Sequence, residues 1–171
     1  MKNLEKKPIE QLLSIIPNHP ATRIMHISEG GKAFCDAIKK FVKVYDFEYL
    51  LNITDAQFYE EMHKTYDDEE CCKVKKITLE QRRYVLMAKQ YDFLFVTTTV
   101  PNELIDEFIK RVYGHIKSAG NIILFLPKNN LENNEKWRAS LEEHFFVAIN
   151  TIDLFEHYEI MIAKKMHGWR G

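Results

Sequence analysis

Two adjacent glycines, Gly30 and Gly31, lie between an apolar run and the start of a helical pattern. Glycine adopts backbone conformations that other residues avoid, so such a pair permits a tight turn and a close approach of the backbone to a ligand. The free N–H groups at the start of a helix favour an anionic group, and Lys32 adds a positive charge there. Two interpretations stay open: a loop that binds a cofactor, carboxylate or phosphate, or a simple strand-to-helix turn.

Polar side chains also end the apolar runs that follow. Asn52 closes one run, with Asp55 three residues later, and the residues 97–99 are three threonines that close another. Open α/β sheets bind ligands at the carboxyl ends of their strands. Asn52 and Thr97 are therefore candidates to line a polar pocket, although threonine is also ordinary strand composition.

Two titratable side chains stand beside the glycines. Glu29 offers a carboxylate to an amino group or a ribose, but it also suits a solvated acid at a helix N-terminus, which we favour. His26 is of a residue type whose usual pKa suits acid–base catalysis. A strand histidine among apolar neighbours is more often a core residue, and we favour that interpretation. We predict no metal site, because the seven histidines form no H-x-x-x-H pair and the three cysteines no C-x-x-C pair.

The periodicity of apolar residues predicts the elements that position these candidates. Thr78 and Gln81 have the spacing of a capping box, and Thr54 or Asp55 is the expected cap of an earlier helix. The predicted helices cover 8–16, 32–44, 54–66, 78–90, 102–118 and 133–145. The "SAG" at 118–120 is expected to end the fifth helix. The predicted strands cover 24–27, 47–53, 71–77, 91–97, 121–127, 146–155 and 158–166.

Strands and helices alternate along this chain. Continuous apolar strands such as "FLFV" and "IILFL" are typical of a parallel sheet with helices on both faces. The alternation predicts a doubly wound, Rossmann-like α/β fold. The last two strands are joined too closely for a crossover, so we expect an antiparallel hairpin. We predict one domain over 1–171, with an N-terminal helix and connection over 1–20 and the α/β core over 21–171.

Composition limits the partners. The 24 basic and 25 acidic residues leave no basic field, so we expect no nucleic-acid partner. An odd number of cysteines argues against a disulfide framework. The N-terminal segment has no signal-peptide core, and no apolar run reaches about 18 residues. We therefore expect no membrane partner and a location in the cytoplasm.

Three stretches resemble a known family. "RIMHISEGGKAF" resembles the first strand and glycine loop of class I S-adenosylmethionine-dependent methyltransferases. "KQYDFLFVTT" is similar to their fourth strand, and "FIKRVYGHIKSAGNIILFLPK" to their helix, turn and fifth strand. Five strand–helix units before a strand hairpin is also the layout of the family. The resemblance covers nearly the whole chain, and it implies a methyltransferase-like fold with S-adenosylmethionine as the cofactor.

The resemblance also implies which residues bind the cofactor. Matched to the glycine motif of the family, His26 stands at the acidic position, and Ser28, Gly30 and Lys32 stand at the three glycine positions. Asn52 stands where the family uses an acidic residue to hold the ribose. The implied cofactor-binding set, in which Thr97 faces the substrate, is Ser28, Glu29, Gly30, Gly31, Asn52 and Thr97.

Three functions stay open at this point. The first is methyl transfer to a small molecule, largely a matter of positioning. The second is a non-catalytic binding or scaffolding module of the same fold; the aromatic content of 12% permits a homodimer interface. The third is a protein that binds another nucleotide or an anionic metabolite, which the neutral Asn52 and the cationic Lys32 favour.

Overall fold

The computed structural model describes residues 4–66, 69–84 and 89–168. In this part of the chain, no helix has the length and apolar content needed to cross a membrane. In chain order the elements are α1 (Lys6–Leu13), β1 (Arg23–Ser28), α2 (Lys32–Tyr45), β2 (Glu48–Ile53), α3 (Ala56–Tyr66), β3 (Cys72–Lys76), β4 (Tyr91–Val96), a 3₁₀ turn (Asn102–Leu104), α4 (Ile105–Tyr113), β5 (Ile116–Pro127), α5 (Leu131–Glu143), β6 (Phe146–Ile152) and β7 (Tyr158–Lys165).

The seven strands form one sheet in the order β3-β2-β1-β4-β5-β7-β6. The first five strands in this order run parallel to one another, and β7 lies antiparallel between β5 and β6. The predicted doubly wound fold and the predicted C-terminal hairpin are therefore confirmed. The order of the strands reverses between β1 and β4, which is the point where open α/β sheets bind ligands.

Helices cover both faces of the sheet, as the continuous apolar strands predicted. On one face, Phe34 and Ile38 of α2 belong to a cluster that also takes in α1 and α3. On the other face, Phe108 of α4 and Trp137 of α5 belong to a second cluster, and their rings meet edge to face at 5.8 Å. Burial of these two clusters away from water fixes the sheet between its helices.

The helix predicted over 102–118 is too long. In the structure α4 ends at Tyr113, and Ile116 begins β5 and pairs with Tyr91. The "SAG" at 118–120, predicted to end the helix, lies instead within β5. An isoleucine at this spacing satisfies both the helical pattern and a buried strand, and its pairing with β4 decides for the strand.

The helix predicted over 78–90 is wrong for its described part, because residues 79–83 form turns and bends and none of 78–84 is helical. Residues 85–88 lie outside the described part of the chain. Half of the predicted capping box is nevertheless present: the backbone N–H of Thr78 donates to the side-chain oxygen of Gln81 at 3.0 Å.

Tertiary contacts explain why this helix does not form. In a helix, the carbonyl of Leu79 would accept from the backbone four residues later. Here it accepts from the guanidinium of Arg111 at 2.6 Å and from the hydroxyl of Tyr84 at 2.9 Å. Side chains from within and outside the segment thus take the place of the helical hydrogen bond.

Candidate functional site

The ends of three central strands meet at the carboxyl edge of the sheet, at Ser28 of β1, Ile53 of β2 and Val96 of β4. Their parallel register brings the segments after them side by side. We call the polar residues gathered there the carboxyl-edge cluster; they are Ser28, Glu29, Gly30, Gly31, Asn52, Thr54, Thr97, Thr98 and Thr99.

The glycine loop folds onto the side chain that precedes it. The hydroxyl of Ser28 donates to the carbonyl of Gly30 at 2.6 Å and accepts from its N–H at 3.2 Å. Gly31 adopts the left-handed conformation, with φ 84° and ψ 57°, directly before α2. A side chain would be strained at this position, so Gly31 is required by the turn itself.

Glu29 connects the loop after β1 to the loop after β4. Its carboxylate accepts from the N–H of Thr99 at 3.2 Å, from the hydroxyl of Thr99 at 2.9 Å and from the hydroxyl of Thr98 at 3.4 Å. The hydroxyl of Thr98 also lies 3.1 Å from that of Thr54, after β2. Glu29 is half-buried, and its carboxylate joins the loops of two strands, a contact that the prediction of a solvated helix N-terminal acid did not include.

Asn52 is fully buried, at 0% exposure. Its side-chain N–H₂ lies 3.5 Å from the carbonyl of His26, which is a long hydrogen bond. Its side-chain oxygen has no hydrogen-bond partner among the described residues. A buried acceptor without a partner costs about 1–3 kcal/mol, so this amide oxygen is a candidate to accept a hydrogen bond from a ligand.

His26 is a core residue, as the sequence favoured, with 0% exposure. Its Nδ1 lies 2.8 Å from the hydroxyl of Tyr49, and its Nε2 lies 2.7 Å from the hydroxyl of Thr97. Burial lowers the pKa of His26 to about 3, so the ring is neutral at physiological pH. A buried neutral ring of this kind is not a general base for a ligand at the edge of the sheet.

Thr97 belongs to the same buried group, because its hydroxyl meets His26 and its exposure is 5%. The structure thus places Ser28 at the end of β1, with Glu29, Gly30 and Gly31 in the loop that follows it. Asn52 lies on β2 and Thr97 directly after β4, and both side chains are buried. Tyr49 was missed by sequence reasoning, since nothing in the sequence links it to a histidine 23 positions away on another strand.

Comparison with solved structures identifies this architecture. The chain is similar to an S-adenosylmethionine-dependent O-methyltransferase from Thermotoga maritima, with a TM-score of 0.74 and 15% identity over 97% of this chain and 67% of that one. The chain has a class I methyltransferase-like fold. The sequence itself matches no protein-family model and no curated protein sequence.

Two other solved structures share this methyltransferase-like fold. Fibrillarin from Aeropyrum pernix, solved with natively bound S-adenosyl-L-methionine, has a TM-score of 0.72 and 10% identity, over 95% of this chain and 74% of that one. A precorrin-6y C5,15-methyltransferase from Geobacter metallireducens has a TM-score of 0.71 and 13% identity, over 94% and 89%. The chain spans only 52% of the CurJ carbon methyltransferase and 51% of a citrinin polyketide synthase methyltransferase domain, which it also resembles.

Proposed function

We propose that the carboxyl-edge cluster binds S-adenosylmethionine and that the chain transfers its methyl group to a small molecule. The observation that carries this proposal is the side-chain oxygen of Asn52. It is a buried acceptor without a described partner, on the strand and at the position where the resembling family holds the ribose. A ribose hydroxyl is a donor that satisfies it.

The rest of the cluster fits the same ligand. The Gly30–Gly31 turn leaves room for a close approach of the backbone, and α2 begins directly after it. The carboxylate of Glu29 is suited to the ammonium group of the ligand's methionine part. The structures with this fold include one with bound S-adenosyl-L-methionine, which supports the choice of ligand.

Binding requires the loops to separate, because Asn52 is fully covered. The contacts of Glu29 with Thr98 and Thr99 join the loop after β1 to the loop after β4, so they must break first. The carboxylate then exchanges two threonine hydroxyls and one backbone N–H for a cationic partner. A hydrogen bond between charged groups is stronger than one to a neutral donor, which favours this exchange.

The cofactor supplies an electrophilic methyl group on a sulfonium. The contribution of this chain is to bind and orient, since His26 is buried and neutral and the carboxylate of Glu29 pairs with the ammonium group of the bound ligand. The acceptor must therefore bring a nucleophile that needs no base from the protein. A small molecule with a thiolate or an unprotonated amine meets this requirement.

Thermal unfolding with added ligands tests the proposal. A ligand at about 100 times its dissociation constant stabilises the folded state by about 2.7 kcal/mol. We expect S-adenosylmethionine and S-adenosylhomocysteine to raise the melting temperature, and NAD and ATP to leave it unchanged. A shift with NAD or ATP instead would identify another nucleotide as the ligand and contradict the proposal.

A pair of asparagine variants locates the site. Asn52→Leu removes the unpaired acceptor and should weaken binding about 10–100-fold, the equivalent of one hydrogen bond to a buried group. Asn150→Ala, on the exposed side of β6, is the matched control and should bind as the wild type does. Equal affinities for both variants would show that the ligand does not reach Asn52.

A second candidate is a binding module that does not catalyse methyl transfer. Thr97 favours it, because the hydroxyl expected to face a substrate is instead bonded to His26 in the interior. Transfer of radiolabelled methyl groups from S-adenosylmethionine to an extract of small metabolites separates the two. Labelled product supports the enzyme; tight binding without product supports the module.

A further inference from the structure

Two adjacent cysteines, Cys71 and Cys72, stand at the start of β3, on the amino edge of the sheet and away from the carboxyl-edge cluster. Their sulfur atoms are 3.5 Å apart. Cys71 is partly exposed, whereas Cys72 is 2% exposed. The two thiols are free, so they form one convergent pair rather than a disulfide.

The backbone holds this pair in place. The N–H of Tyr49 donates to the carbonyl of Cys71 at 2.8 Å, which continues the pairing of β2 with β3. The N–H of Cys72 donates to the carbonyl of Glu69 at 3.2 Å, which closes the turn before the strand. Both sides of the peptide between the cysteines are therefore fixed by hydrogen bonds.

This geometry favours two separate thiols over a disulfide. Neighbouring Cα atoms lie about 3.8 Å apart across a trans peptide, and disulfides usually need roughly 4.4–6.8 Å. A bond between adjacent cysteines would be strained and easily reduced. Two sulfurs that share one atom at bond lengths of about 2.3 Å and a near-tetrahedral angle lie roughly 3.8 Å apart. The observed separation is close to that value.

The number of ligands selects the kind of atom. A structural zinc ion takes four ligands, and the described residues contain no group of three or more histidine, cysteine or acidic side chains placed to hold a metal. Trivalent arsenic that already carries one organic substituent needs only two sulfurs. We propose that Cys71 and Cys72 form a two-thiol binding site for a trivalent organic arsenical.

Access and order of reaction follow from burial. Cys71 lines a cavity of about 150 Å³ together with Lys89 and Tyr91, so it meets the reagent first. Cys72 is only 2% exposed, so this thiol reacts second and closes the ring. Each thiol passes its proton to a departing hydroxide on arsenic. Two As–S bonds form, two water molecules leave, and arsenic stays trivalent.

Phenylarsine oxide tests the site, because in water it forms a trivalent arsenical that carries one phenyl group and two hydroxides. We expect one equivalent to add to the reduced protein, leaving one titratable thiol of the three. The adduct should resist excess monothiol and be removed by a dithiol such as dimercaptopropanol. Failure of the wild-type protein to form this adduct would overturn the proposal.

Three single variants give the controls. Cys35→Ala leaves the pair intact and should react as the wild type does. Cys71→Ala and Cys72→Ala should each hold the arsenical on the order of 100-fold less tightly against excess monothiol, because the second thiol no longer acts at a high effective concentration. Cys71 is partly exposed, so its variant keeps the test valid if Cys72→Ala fails to fold. A monothiol-resistant adduct on Cys71→Ala, or equimolar zinc binding that depends on the same pair, would overturn the assignment.

Discussion

The buried histidine gives the protein a predictable dependence of stability on pH. His26 is fully buried and accepts no proton in the folded protein until its lowered pKa of about 3 is reached. In the unfolded chain a histidine has a pKa of about 6.5. Between these values the unfolded chain binds a proton that the folded chain excludes. The free energy of unfolding therefore falls as the pH falls below about 6.5.

The magnitude follows from the same two values. Each pH unit between them costs about 1.4 kcal/mol, so His26 alone should remove about 2 kcal/mol of stability between pH 7.5 and pH 5. Domains are stable by only about 5–15 kcal/mol, so this loss is easily measured. Burial also lowers the pKa of His115. The stability of every variant that keeps His115 should therefore also fall towards low pH for this second reason.

Urea unfolding followed by circular dichroism, at several values between pH 7.5 and pH 5, measures the effect. His26→Gln should be less stable at pH 7.5, because it disturbs the contacts with Tyr49 and Thr97, but its stability should fall less towards pH 5. His157→Gln, at an exposed histidine, is the control and should keep the wild-type slope. Equal slopes for wild type and His26→Gln would show that burial of a neutral His26 does not set the pH dependence.

Three further predictions concern stability and are checked by the same urea unfolding. Gly31→Ala should cost about 1–2 kcal/mol because of the positive φ, whereas Gly114→Ala, with φ −67° and open space around it, should cost nothing. Gly120→Ala should cost about 1–3 kcal/mol, because a Cβ there would lie 2.8 Å from the Ile116 side chain and 2.9 Å from a carbonyl oxygen. Lys165→Met should cost about 1–3 kcal/mol, because it leaves two carbonyls at the α4–β5 corner without their donor. A Gly31→Ala protein as stable as Gly114→Ala, or unchanged stability in either of the other two, would contradict the structure at that position.

The sequence was sufficient to predict the sheet and its helices where the apolar pattern was unambiguous. Long apolar strands such as β4 and the amphipathic face of α2 left one interpretation each. The pattern failed where two structures satisfy it equally, as at Ile116, or where distant side chains intervene, as Arg111 does at the carbonyl of Leu79. Contacts between segments remote in the chain cannot be obtained from local periodicity.

The sequence predicted which polar residues gather at the carboxyl edge of the sheet, but not their contacts there. Topology alone brings the ends of β1, β2 and β4 together, so Gly30, Asn52 and Thr97 could be assigned to one edge. Their side-chain partners depend on packing across strands. The contact of Thr97 with His26 and the contacts of Glu29 with the β4 loop therefore required the structure.

A crystal structure of the protein with S-adenosylhomocysteine would show directly whether the carboxyl-edge cluster binds the cofactor. We expect the ligand at the carboxyl edge, with a ribose hydroxyl within about 3.2 Å of the side-chain oxygen of Asn52, and with Glu29 released from Thr99. A ligand bound elsewhere, or one at this edge with the Asn52 oxygen still unpaired, would contradict it.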